Sequence, residues 1–186
     1  MKSLMLTKTE LIIENTKKWL NSFVIELNLC PFARKEVKRK SLRFVVSNAL
    51  TSESALNDCI SEIQLLDQNP AVETTLLIFS SFLDDFFDYL DFVDLCENTM
   101  HIKGYEGIYQ VASFHPHYSF ANEGVNDVSN YTNRSPYPMV HLLREKSLDE
   151  AIKRYGDTKD IPQKNIETLR KLGLENVKEI LKQCSL

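Results

Sequence analysis

Apolar positions along the chain follow two periods. From Thr9 to Leu29, the residues Leu11, Ile12, Trp19, Leu20, Phe23, Val24 and Leu27 keep helical spacing behind a candidate cap at Thr9. This predicts an amphipathic first helix that stops near Cys30, because Pro31 disfavours helical geometry in the residue before it. The run Leu42-Arg43-Phe44-Val45-Val46 is short, apolar and β-branched, and reads as a strand. Thr51-Ser52-Glu53-Ser54 then opens a second helical pattern through Ala55, Leu56, Cys59, Ile60, Ile63 and Leu66 that ends before Asn69-Pro70. Glu73 to Phe79 reads as a buried strand, Phe82 to Cys96 as an aromatic-rich helix and Ile108 to Phe114 as a third strand.

These segments form a βαβαβ series, so the expected fold class is α/β: a small mixed or parallel sheet of about three strands packed with helices. The C-terminal third reads as helical after Pro138. One helix would start near Pro138, with His141 and Glu145 on a shared face. Ser147-Leu148-Asp149-Glu150 is a capping-box pattern for a helix from Leu148 to about Tyr155. Asp160-Ile161-Pro162 opens another helix, Gly173 stops it, and Leu174 to Cys184 forms the last. Neither an internal repeat nor a linker divides the chain, so residues 1–186 are expected to be a single domain.

Composition agrees with a folded domain. The chain of 186 residues is 43% hydrophobic and 26% charged with five glycines, and that length can bury roughly 70% of its unfolded surface. The formal charge of −4 and scattered basic residues give no face for nucleic acid. The basic run Arg34-Lys35-Glu36-Val37-Lys38-Arg39-Lys40 reads as a solvated loop. The sequence contains neither a secretory leader pattern nor a run of some eighteen apolar residues for a bilayer, so the protein is expected in the cytoplasm without a membrane partner. The four cysteines, Cys30, Cys59, Cys96 and Cys184, form no C-x-x-C pair and are expected as free thiols, with Cys59 and Cys96 packed inside helices.

Candidate chemistry concentrates between Ser113 and Glu145, which holds three of the four histidines with Pro116, Pro136 and Pro138 among them. His115 and His117 flank one residue at the end of the third predicted strand. Side chains two apart in an extended segment point the same way, so they can grip one metal ion. His141 and Glu145 would complete a ligand set for a divalent cation such as zinc, iron or manganese. Alternatively, His115 and His141 serve acid/base chemistry, or are ordinary core histidines.

The polar loop from Asn130 to Pro138 would lead into the helix expected at Pro138. Asn130, Asn133, Arg134 and Ser135, with Arg144 beyond, are candidates to hold a phosphate or carboxylate at that helix start. The alternative is that the amides and Ser135 satisfy the turn and that Arg134 is a structural clamp. Cys30 is a candidate nucleophile or redox thiol, or a buried structural thiol at a helix C-terminus, where the dipole disfavours a thiolate. Arg34 lies near it and could reach an anionic ligand.

The segments NLCPFA at 28–33, VASFHPHYSF at 111–120, NYTNRSPYPMVHLLRE at 130–145 and IPQKNIETLRKLG at 161–173 resemble a bacterial family called domain of unknown function 1415. The resemblance covers nearly the whole chain and implies a single-domain protein of this length, without naming an activity. It implies that Cys30, His115, Asn130, Asn133, Arg134, Ser135, Pro136 and His141 match the family pattern, in which an aspartate can stand at position 117. That ranks His115 and His141 above His117.

The resulting expectation is an enzyme acting on a small anionic substrate through histidine acid/base or metal-assisted chemistry, with His115→Ala abolishing activity and sparing the fold. Its rivals are a non-catalytic protein binding a metabolite or partner, and a thiol redox protein using Cys30. In the partner reading, the acidic aromatic stretch from Phe82 to Phe92 offers apolar surface, and a homodimer would bury the loop.

Overall fold

A computed structural model describes residues 6–185. Strands β1 (Leu42–Ser47), β2 (Thr74–Phe79), β3 (Tyr109–Phe114) and β4 (Met139–Arg144) form one sheet in the order β1-β2-β4-β3. β1 and β2 are parallel, and β4 is antiparallel to both β2 and β3. The three expected strands are therefore present and run the same way. The sheet is mixed because a fourth strand, β4, lies between β2 and β3.

β4 replaces the helix expected after Pro138. Met139-Val140-His141-Leu142-Leu143-Arg144 is a short apolar run whose period fits helix or strand equally, and pairing on both sides decides in favour of the strand. His141 and Glu145 consequently do not share a helix face. The next helix, α5, spans Glu145–Tyr155, so it begins before the expected Ser147 box and has no side-chain cap.

Alternation along the strands splits the interior into two layers. Leu77, Phe79, Tyr109, Val140 and Leu142 meet α3 (Ser52–Gln68) and α4 (Phe86–Ile102) on one face. Ile63, Leu66 and Tyr89 of those helices are fully buried there, each contributing about 1.5–3 kcal/mol of burial. Cys59 and Cys96 are buried free thiols in this layer, as their helical spacing implied.

Leu76, Ile78 and Met139 face the other way, against α1 (Lys8–Trp19), α6 (Ile161–Leu172) and α7 (Leu174–Gln183). The cap of α1 lies two residues before the expected one: Thr7 caps it reciprocally with Glu10. It then widens into a π-helical segment, Leu20–Ile25, that buries Phe23, Val24 and Ile25. Gly173, at φ 84°, separates α6 from α7 as expected.

The basic run is not a loop: Ala33–Arg39 form a short helix, α2, closed by Lys40 at φ 57°. In the acidic aromatic stretch, Asp85 caps α4 and Tyr89 and Phe92 are buried, whereas Phe87 is 75% exposed. Among the described residues no helix is long and apolar enough to cross a membrane.

Candidate functional site

The loop after β3 is held by its own polar side chains. His115 is fully buried and directs Nε2 at the Leu83 carbonyl, 3.0 Å away. A carbonyl only accepts, so Nε2 carries the proton, and Nδ1 accepts from the His117 backbone N–H at 3.0 Å. Both ring nitrogens are thus in use. Burial holds the imidazole pKa below its ordinary value. Leu83 occupies the left-handed region at φ 68°, a costly conformation for leucine. The His115 bond fixes its carbonyl there, and the Phe86 and Tyr89 rings pack around the imidazole.

The amides and arginines of the loop have similar duties. Asn130 is fully buried, accepts from the Phe120 N–H and donates to the Gly124 carbonyl. Asn133 donates to the Ser113 carbonyl, and Ser135 donates to the Tyr137 carbonyl across its turn. Arg134 donates to the Tyr118 and Val125 carbonyls and lies over the Tyr131 ring. Arg144 donates to the carbonyls of Leu66 and Val72 and to the Tyr109 hydroxyl, closing the end of α3. Arg34 reaches the Ile25 carbonyl at the end of the π-helical segment. The helix start that was to present an anion is absent, because Pro138 leads into β4.

The four metal candidates do not converge. His115 has no free nitrogen, His117 neighbours it on the loop, His141 lies within the sheet and Glu145 starts α5. Among the described residues no group of three or more His, Cys, Asp or Glu is placed to hold a metal ion. His117 and Arg134 instead border a surface groove of about 320 Å³ with Lys178 and Lys182 of α7.

His141 occupies a different environment. It lines a cavity of about 220 Å³ over the sheet, walled by Trp19, Phe32, Leu76, Phe114, Leu143 and Leu148, with Thr74, Glu36 and Cys30 also bordering it. Thr74 Oγ1 lies 2.6 Å from the Leu142 carbonyl and 2.6 Å from His141 Nε2. The hydroxyl has one proton, which must go to the carbonyl, so Nε2–H donates to Oγ1. Nδ1 is left as an unprotonated acceptor with no protein partner among the described residues, and it is not among their occluded unpaired atoms. His141 is half-buried and borders this cavity. Loss of solvation lowers its pKa to about 4, so the ring is neutral at pH 7.

A second cavity of about 800 Å³ adjoins the first, and Val24, Cys30 and Phe114 border both. Its wall is more polar, with Asn122, Glu123, Ser129, Thr132, Asn133 and Asn165. Among the described residues neither cavity has a lysine or arginine in its lining; the charged groups are Glu36 and Glu123. Cys30 lies beyond the first helix, before α2, and the N–H groups of Phe32 and Ala33 approach its sulfur. Burial outweighs them and raises the thiol pKa, the opposite of what an activated thiolate needs.

The structure therefore joins His141 with Cys30 in the inner cavity and Cys30 with Asn133 in the outer one, and separates both cavities from the buried His115 ring. Sequence reasoning missed Thr74, Ser129 and Asn165. Thr74 and Ser129 had no local signal, being single hydroxyls on a strand and in a 3-10 turn (Val128–Thr132). Asn165 lay within a quoted motif, and its amide donates to the Leu29 carbonyl beside Cys30.

A family model described as a protein of unknown function (DUF1415) matches residues 11–179. No curated protein and no solved structure matches.

Proposed function

The chain belongs to the DUF1415 family, and we propose that its function is to bind an uncharged small molecule in the paired cavities, with an apolar part in the inner one. The observation that carries this reading is the free Nδ1 of His141 in an apolar wall, its tautomer fixed by Thr74. An engineered apolar cavity of about 150 Å³ accepts benzene. The inner cavity, at about 220 Å³, has room for a substituted ring or a short branched chain. Nδ1 rewards a ligand that brings a hydroxyl or N–H donor, because that bond forms away from water.

Recognition is favoured over proton abstraction. A general base works best with a pKa near the working pH, and burial pushes His141 down to about 4. The uncharged ligand replaces the anion expected from sequence, because among the described residues no lysine or arginine lines either cavity, and the charged groups that do are Glu123, which would repel an anion, and Glu36, which is paired with Lys35 at 3.4 Å. Calorimetric titration with phenol and benzene tests the reading. Phenol should bind about tenfold tighter, the worth of one modest hydrogen bond, and His141→Leu should erase the difference. Equal binding of the two by the wild type would refute it.

A second reading keeps the anion at another place. His117, Arg134, Lys178 and Lys182 line the surface groove without an acidic residue, although Lys178 also pairs with Glu175 at 2.9 Å. An anion there is expected to bind weakly and to be released by salt. Chemical-shift changes at Lys182 and His117 on adding inorganic phosphate would support it, and their absence would dismiss it.

A further inference from the structure

α5 is amphipathic, with Leu148, Ala151, Ile152 and Tyr155 in one stripe at helical spacing. Such a stripe is ordinarily the face by which a helix joins the core. In α5 it is not. The helix has no buried residue and no side-chain cap, its apolar residues belong to neither layer of the interior, and among the described residues none of its side chains enters an ion pair. Two contacts hold the stripe instead. Leu148 forms part of the wall of the inner cavity, and the Tyr155 ring meets Phe32, another wall residue, edge to face with ring centres 5.8 Å apart. Tyr155 is 49% exposed. The two ends of α5 also differ. At its start Glu145 follows β4 directly, and its N–H donates to the Ile108 carbonyl at 3.0 Å. At its end Gly156 leaves the helix at φ 96° and ψ −132°, a backbone shape that glycine adopts with least strain, and residues 157–160 belong to no helix or strand.

We infer that α5 is the lid of the inner cavity: it is anchored where it leaves β4, latched by Tyr155 on Phe32, and swings at its C-terminal end to let a ligand in. This inference rests on the binding role proposed for that cavity and adds how the cavity is entered. A segment with few buried apolar contacts opens locally long before the fold as a whole does. Lids of this kind move about a few positions at the end of an element, here the junction of β4 with α5. An edge-to-face aromatic pair shifts the balance between closed and open by up to about tenfold, so the latch holds α5 shut without fixing it. Releasing it parts two segments of the cavity wall, the one before α2 that carries Phe32 and the one on α5 that carries Leu148. The rival route is the outer cavity, since Val24, Cys30 and Phe114 border both. A ligand that came that way would meet α5 only as a fixed wall.

The test combines hydrogen exchange of the α5 amides with the binding kinetics of phenol from NMR line shapes, on the full chain and on Tyr155→Ala, which removes a half-exposed ring. Wild-type α5 amides should exchange about a hundredfold faster than those of β4, and saturating phenol should slow them. In Tyr155→Ala, α5 exchange and the association and dissociation rates of phenol should each rise about fivefold, while Kd stays within about twofold, because the latch governs passage and not the bound contacts. A rise in dissociation alone would mean that Tyr155 only completes the wall, and would overturn the lid. So would α5 amides as protected as those of β4, or an unchanged association rate; the outer cavity would then be the entrance and the binding reading would survive. If phenol does not bind, the binding reading falls; the latch then stands if Tyr155→Ala speeds α5 exchange and falls if it does not.

Discussion

His115 and His141 are both desolvated imidazoles with lowered pKa values, and they differ in what their second nitrogen does. His115 gives one nitrogen to the Leu83 carbonyl and the other to the His117 N–H, so its bonding is complete within the protein. His141 gives Nε2 to Thr74, keeps Nδ1 without a protein partner among the described residues, and borders a cavity. The contrast extends to their surroundings. Around His115 the loop's Asn130, Asn133, Arg134 and Ser135 are spent on backbone, and around His141 the walls are largely apolar and a ligand-sized space adjoins. A histidine in a polar, proline-framed motif can be a structural clip, and one in an apolar strand can be the reactive group.

The largest effect that would break this contrast is expected at His115. Replacing it with alanine removes a packed ring and strands the Leu83 carbonyl and the His117 N–H, costing about 3 kcal/mol or more of stability. Urea unfolding should show the loss, whereas the sequence alone predicted a substitution that abolishes activity and spares the fold. A His115→Ala protein of wild-type stability would dissolve the distinction between the two histidines.

Acid should act on both rings in the same direction. A folded pKa of about 4 against an ordinary 6.5 means that the folded state prefers the neutral His141. Its contribution is therefore complete above pH 6.5 and is lost as pH falls towards 4, amounting to up to about 3 kcal/mol. His115 adds to the same loss below its ordinary pKa of 6.5. In His141→Leu, stability measured between pH 7 and pH 4 should decline less steeply than in the wild type. An unchanged slope would mean that His141 is not desolvated.

Arg144→Ala should cost about 2 kcal/mol, since the guanidinium is the donor for the carbonyls ending α3. Phenol binding should persist in the folded variant; its loss would return Arg144 to the site. The smallest effect belongs to Ser129→Ala. Removing an unpaired buried hydroxyl should leave thermal stability unchanged or raise it by up to about 1 kcal/mol. A loss of more than about 1 kcal/mol would show that the oxygen has a partner after all.

The α/β class, the three parallel strands and the helices α1, α3, α4, α6 and α7 were legible because long apolar patterns and turn residues such as Pro31, Pro70 and Gly173 mark them. β4 was not legible, because six apolar-rich residues carry no period that separates strand from helix, and its place between β2 and β3 depends on pairing partners distant in sequence. The same limit governed the site. His115, His141, Asn133 and Cys30 were singled out by residue type, but which nitrogens and amides remain free depends on Leu83, Thr74, Ser113 and Leu29. Anion binding at Arg134 was inferred from a helix start that the strand removes.

The most direct test is a two-dimensional NMR titration of the imidazole nitrogens, which reads tautomer and protonation of each histidine separately. His141 should be the Nε2–H tautomer, protonate only near pH 4, and shift at Nδ1 when phenol is added, while both nitrogens of His115 stay put. A His141 that titrates at or above its ordinary value, or a phenol shift at His115 and none at His141, would contradict the account.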